Sequence, residues 1–157
     1  MIVEILKRLD FFSELSPNEL TKLSSIADEV TFKAGEKIIE EGKYCASLYI
    51  VKEGCVRVKK GEALNVLLGE GNPVGELSFI DKELPSATVI AEQDSALIRI
   101  PAEAFEHLIK EDKGLASALY KSFALTLCRK LRDTNDWLLT KQWLSEIERE
   151  VRGRIHL

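Results

Sequence analysis

Seven glycines, at positions 35, 42, 54, 61, 69, 71 and 75, cut the stretch between residues 30 and 101 into short pieces rich in β-branched and aromatic residues. No long helix fits a chain punctuated this often, because each glycine invites a turn. Leu48-Tyr49-Ile50-Val51, Val56-Arg57-Val58-Lys59, Leu64-Asn65-Val66-Leu67 and Ala96-Leu97-Ile98-Arg99-Ile100 have strand length, and the second and third show partial period-2 alternation. Short strands at regular spacing with turns between them indicate a β-sandwich or barrel.

The period changes on both sides of this region. Before it, Leu6, Leu9 and Phe12 stand at helical spacing, and Ser16-Pro17-Asn18-Glu19 reads as a helix start with a capping box. Leu20, Leu23, Ile26 and Ala27 then give the buried stripe of a short amphipathic helix. After Pro101, Phe105, Leu108 and Ile109 mark a short helix closing near Gly114, and Leu115, Leu119, Phe123, Leu127 and Leu131 recur every four residues with Ala124 and Cys128 alongside. Leu138, Leu144, Ile147 and Val151 continue the apolar series, with Thr134-Asn135-Asp136 as its weakest helical point. One long helix, or two in tandem, is expected to about residue 150. The fold class is therefore mainly β with flanking helices (α+β), a jelly-roll-like β-roll (double-stranded β-helix) with short N-terminal helices and a long C-terminal helix.

Charge and cysteines narrow the function classes. Residues 1–120 hold 14 Lys and Arg against 21 Asp and Glu, while residues 121–157 hold 8 against 5. An acidic body argues against general nucleic-acid binding, and the basic mixed-sign tail reads as a solvated helix face. The apolar runs are far too short to span a membrane, and no signal-peptide core precedes the charges at Lys7, Arg8 and Asp10. Cys45, Cys55 and Cys128 are an odd set without metal-ligand spacing, so a reduced, cytoplasmic protein is expected. Cys45 and Cys128 read as small buried hydrophobes. His107 and His156 are the only histidines, nearly 50 residues apart, and none lies in the β region. A metal-holding enzyme on a β-roll, or a histidine-based nucleophilic site, is excluded on that shortage. No catalytic residue, metal or cofactor is expected.

The segments themselves carry a resemblance. Phe32-Lys33-Ala34-Gly35-Glu36-Lys37-Ile38-Ile39-Glu40-Glu41-Gly42 and Leu48 to Val58 resemble the first two strand-turn-strand signatures of cyclic nucleotide-binding domains. Leu68-Gly69-Glu70-Gly71-Asn72-Pro73-Val74-Gly75-Glu76-Leu77-Ser78-Phe79-Ile80 resembles that family's phosphate-binding cassette, and Ser86-Ala87-Thr88-Val89-Ile90-Ala91 follows at the expected distance. The four signatures cover about residues 10–135. Cys128 to Asn135 is similar to the dimerising helix of catabolite-activator-type (Crp/Fnr-like) regulators. The resemblance implies a β-roll with N-terminal helices over 1–112, a dimerisation helix over 113–152 and a tail at 153–157.

It also implies a ligand, cyclic AMP or cyclic GMP. Gly75 permits close backbone approach, the turn at Glu76 and Leu77 presents N–H groups to a phosphate, and Glu76 suits a ribose 2′-hydroxyl. By resemblance, Gly75, Glu76, Leu77, Ser86, Ala87 and Thr134 are the ligand contacts, with Ser86 donating to the phosphate and Thr134 reaching the base. The same turn has a structural reading, with the Glu76 carboxylate capping the following N–H groups and Ser86 opening a strand. One departure stands out. In the family an arginine precedes the equivalent of Ser86 and clamps the phosphate, and here that position is Pro85, or Ser86 itself if the alignment slips by one. Neither carries charge. Lys82, among acidic neighbours, reads as a solvated loop lysine.

The expected function is a non-enzymatic, homodimeric regulatory or sensor module with weakened cyclic nucleotide binding, in which Trp137 and Trp143 suit the dimer interface. Two alternatives stay open: the sensor half of a catabolite-activator-type transcription regulator without its DNA-binding domain, or a ligand-free dimerisation scaffold for an unknown protein partner. Only about 20 residues follow Asn135, so specific DNA reading by this chain is not expected.

Overall fold

The computed structural model of the chain describes residues 1–155, with side chains through Arg152. His156, Leu157 and the side chains of the tail expected at 153–157 lie outside the described residues. Helix α1 (Ile2–Leu6) is followed by a 3-10 turn at Asp10–Phe12 and by α2 (Pro17–Ser24). Leu6, Leu9 and Phe12 are all buried, but they are shared between a helix and a turn rather than lying on one helix. The Ser16 hydroxyl accepts from the Glu19 N–H, and the Glu19 carboxylate accepts from the Ser16 N–H at 2.7 Å, closing the capping box. Helix α2 ends before Ile26 and Ala27, which are only half-buried. The hydroxyls of Ser24 and Ser25 donate to the carbonyls of Thr21 and Lys22, a local pairing that competes with helix continuation.

Eight strands follow: β1 (Asp28–Phe32), β2 (Lys37–Ile39), β3 (Ser47–Glu53), β4 (Val56–Lys60), β5 (Leu64–Leu68), β6 (Pro73–Val74), β7 (Thr88–Ala91) and β8 (Ser95–Pro101). Helix α3 (Glu76–Asp81) lies between β6 and β7. The strands form two antiparallel four-stranded sheets, ordered β1-β8-β3-β6 and β2-β7-β4-β5. Ile39, Val51, Val56, Val74, Val89 and Leu97 form a buried cluster drawn from both sheets. Each such side chain contributes about 1.5–3 kcal/mol when fully buried. The expected fold class, a β-roll with flanking helices, is the observed one.

Helix α4 (Ala102–Glu111) ends at Asp112, whose backbone is extended, two residues before Gly114. Gly114 falls inside the first turn of α5 (Lys113–Ile155) because the Asp112 carboxylate restarts the helix by accepting the Leu115 N–H at 2.9 Å. Asp112 also pairs with Lys22 of α2. The Leu115 N–H, and then the Lys22 ammonium, hold the Asp112 carboxyl below the ordinary aspartate range. A carboxyl lowered on folding stabilises the protein above its unfolded pKa and loses that contribution as the pH falls through the lowered value. Asp112→Ala is expected to lower Tm by about 2–4 °C at neutral pH. Thermal melts should show the difference shrinking as the pH drops below the ordinary aspartate pKa.

Helix α5 runs unbroken through Thr134-Asn135-Asp136. The Thr134 and Thr140 hydroxyls donate to the carbonyls of Lys130 and Asp136, one turn back, so they do not interrupt it. The compact body, Met1–Ser122, includes the first turns of α5, where Leu115 and Leu119 are fully buried. There Lys121 pairs with Glu14, and the Ser122 hydroxyl accepts the Glu14 N–H. A second unit begins at Phe123. In it the every-four series changes character: Phe123 is buried, Leu127 half-buried and Leu131 exposed. Cys128, expected as a buried hydrophobe, is exposed, because it lies past the point where this helix is covered. Leu131, Trp137, Leu138, Leu139, Trp143 and Leu144 are all exposed on this unit. Among the described residues, no helix is long and apolar enough to cross a membrane.

Candidate functional site

Strand β6 pairs with β3 through Tyr49–Val74 and Ile50–Pro73, which delivers the chain to Gly75 beside Ser47. Gly75 takes the left-handed conformation (φ 80°, ψ 8°) and caps α3. A Cβ there would lie 2.9 Å from Ile39 Cδ1 and 3.3 Å from the Ser47 carbonyl oxygen, so both the backbone and the space demand glycine. The Gly75 carbonyl accepts the Phe79 N–H at 3.0 Å, the first helical bond. The N–H groups of the opening turn find no acceptor within a helix, and the helix dipole is positive there. Glu76, which opens α3, is buried, and Leu77 is exposed.

The far end of α3 is fastened down. Phe79 is buried with its ring centroid 4.6 Å from that of Phe105 on α4. Lys82, the one non-glycine residue with positive φ among those described (65°), donates to the Phe79 carbonyl and pairs with Glu106 of α4 at 2.7 Å. Lys82 is thus committed to α4. Lys82 is exposed, as a solvated loop lysine is expected to be, and its ion pair leaves no local pattern because Glu106 lies 24 residues away in sequence.

A second segment meets the first through Ile39. That residue, whose Cδ1 lies under Gly75, pairs in register with Val89 of β7. Upstream of β7, the Pro85 carbonyl accepts the Gly42 N–H at 2.9 Å, and the Thr88 hydroxyl accepts the Glu41 N–H at 3.1 Å. Along this segment Pro85 is buried, Ser86 exposed, Ala87 half-buried and Val89 buried. The structure brings Gly75, Glu76 and Leu77 into one turn and sets Ser86 and Ala87 on the strand approach anchored to the same Ile39. Thr134 belongs to the second unit, where its side chain is exposed and its hydroxyl is bonded to Lys130.

Nearby cations are engaged elsewhere. Lys37 and Lys43 both pair with Glu40, whose carboxyl is lowered chiefly by the Lys43 hydrogen bond. Arg57 makes two bonds to Glu92, and Arg99 makes two to Asp28, whose carboxyl is lowered chiefly by that contact. Cys45, half-buried, has its Sγ 3.9 Å from the point where a Gly75 Cβ would stand and donates to the Ser47 carbonyl. Burial pushes its thiol pKa up, which keeps it protonated. No local pattern marks Cys45 or Ile39 as neighbours of the turn, since they meet it only through tertiary packing.

A glycine held left-handed at the start of a short helix, an acid opening that helix, and a strand returning beside it form one constellation on a β-roll. The sequence profile described as the cyclic nucleotide-binding domain matches residues 29–112, which include all of it. The chain belongs to the cyclic nucleotide-binding domain family. The domain is 30% identical over 115 residues to the cAMP-dependent protein kinase regulatory subunit of Hypocrea atroviridis, covering 73% of this chain and 25% of that protein. The catabolite activator protein of Thermus thermophilus superposes with a TM-score of 0.69 at 27% identity, covering 82% of this chain and 61% of that one. The regulatory subunit of a cAMP-independent protein kinase A from Trypanosoma brucei superposes with a TM-score of 0.68 at 25% identity, covering 83% and 44%. The chain thus spans about a quarter of the length of the fungal kinase subunit it matches.

Proposed function

We propose that this domain is a non-catalytic regulatory module that receives a cyclic nucleotide at the Gly75-Glu76-Leu77 turn, with affinity weakened by the uncharged Pro85. The observation that carries the reading is the left-handed Gly75 capping α3 with Glu76 at its head, in a space that admits no side chain. Such a turn presents backbone N–H groups and a positive dipole end to an anion. Glu76 takes the ribose 2′-hydroxyl, and Ser86 and Ala87 border the phosphate. No arginine supplies the charge-assisted bond to the phosphate, a bond worth about 1.5–3 kcal/mol. One relative of similar fold is named as belonging to a cAMP-independent kinase, which supports keeping fold and ligand response apart. The three free thiols agree with a reducing, cytoplasmic setting.

The role of Glu76 has a selective test. Glu76→Gln is expected to weaken cyclic AMP binding by about ten- to a hundredfold and to leave the affinity for 2′-deoxy cyclic AMP nearly unchanged. Equal losses for both nucleotides, measured by competition titration, would remove the carboxylate from the ribose.

Residues 113–152 are the proposed homodimerisation segment. The exposed Leu131, Trp137 and Trp143 support this, since solvated apolar residues in such number on one helix mark an interface. Sedimentation should find a dimer that Leu131→Glu converts to monomer. A monomer at high protein concentration would contradict the assignment.

A further inference from the structure

The two sheets have four edges, and three are blunted. Edge β1 carries Asp28 and Glu29, both tied into ion pairs. Edge β2 is three residues long with a register shift, and edge β6 is two residues long and begins with Pro73. Short, charged, proline-bearing or bulged edges are the devices that keep a sheet from accepting another strand. Edge β5 has none of them. Leu64-Asn65-Val66-Leu67-Leu68 is five residues of uncharged, mostly apolar strand in unbroken register with β4. Leu64, Val66 and Leu67 are exposed.

Charge near this edge is uneven. The pairing of β4 with β5 sets Lys59 opposite Asn65 and Lys60 opposite Leu64, so both lysines flank the hairpin turn at 61–63. Both are exposed, and neither ammonium makes a side-chain hydrogen bond or ion pair among the described residues, although Lys59 helps lower the carboxyl of Glu92, which Arg57 farther along β4 holds together with Asn65. Glu62 in the turn offsets one of the two charges. Alternation places Lys59 on the same face as Asn65 and Leu67, and Lys60 on the same face as Leu64 and Val66. Each face of the ribbon thus presents a lysine at the turn end and an apolar side chain toward the other end.

We propose that the free edge of β5 docks an extended segment of another protein, apolar where it lies beside Val66 and Leu67 and acidic where it reaches Lys59 and Lys60. Backbone hydrogen bonds to the edge supply the attachment, and the alternating side chains supply the choice of partner. The lysine pair is the reason to favour an acidic partner over a second copy of this chain, whose acids nearest to β5 in sequence lie outside it, at Glu62 and Glu70. A five-residue strand also covers much less than the roughly 1,200–2,000 Å² of a stable protein dimer.

The test is an amide NMR titration of the full chain with a capped hexapeptide of alternating valines bearing two glutamates at one end. Shifts at the amides of Leu64–Leu68 are expected. The doubly substituted Lys59→Glu/Lys60→Glu protein should bind about three- to tenfold more weakly. The same peptide N-methylated at alternate residues, which lacks ladder donors and requires no change to the protein, should not bind. Three results would overturn the proposal: no shift at β5 with millimolar peptide, equal binding when the glutamates become lysines, or tighter binding of a peptide copying Leu64–Leu68, which would make a second copy the occupant.

Discussion

Pro85→Arg is expected to raise the affinity of the domain for cyclic AMP by about ten- to a hundredfold. The estimate is one charge-assisted, bidentate bond to phosphate, about 1.5–3 kcal/mol, at 1.4 kcal/mol per tenfold. Pro85 is buried, and it stands where the resemblance puts the family's arginine. Its backbone role survives the change, because the Gly42 N–H bonds to the carbonyl and not to the ring. The cost falls on the unfolded state, where losing proline releases about 0.4–1 kcal/mol of conformational entropy. Pro85→Gln is the control for shape without charge and should bring little gain. Calorimetric titration of the two variants separates the effects. A Pro85→Arg affinity equal to that of the parent would mean that something other than the missing charge limits the site.

The second large effect is Gly75→Val. A branched residue held at φ 80° costs about 1–2 kcal/mol in backbone strain, and its Cβ would press on Ile39 Cδ1 and the Ser47 carbonyl. Overpacking of that kind costs about 1–3 kcal/mol more. The sum corresponds to a Tm lowered by about 5–15 °C in a chain of this size, together with loss of any binding at the turn. Gly54→Val is the comparison. Gly54 also has positive φ (90°), and a Cβ there would collide with Ser95 Oγ, but it lies in the β3–β4 turn. Its variant should melt early and still bind whatever the parent binds below its transition. If Gly75→Val melts like the parent, the turn is not held as described.

Much of the fold is legible because glycine spacing and apolar period are local signals. The strands β3, β4, β5 and β8, the capping box at Ser16 and Glu19, and the long α5 are all read from neighbours within a few residues. Strands β2 and β6, at three and two residues, are too short to leave a period, and they exist only through their partners β7 and β3. The break before residue 113 shows in the sequence through Gly114 nearby, whereas the aspartate at 112 that starts the next helix leaves no local signal. The Gly75-Glu76 turn shows in the sequence as a family signature. Its supports do not, since Ile39, Ser47 and Cys45 meet it through tertiary packing and Lys82 turns away to Glu106 on α4.

The proposed receptor turn keeps its backbone donors and its acid and lacks a positive charge beside them. Calorimetric titration of the unaltered chain with cyclic AMP tests this most directly, with the amides of Gly75, Glu76 and Leu77 followed in parallel by NMR. The expected result is weak, saturable binding that shifts those three amides and is at least tenfold poorer than that of Pro85→Arg. Tight binding by the unaltered chain, or saturation with no change at those amides, would contradict it.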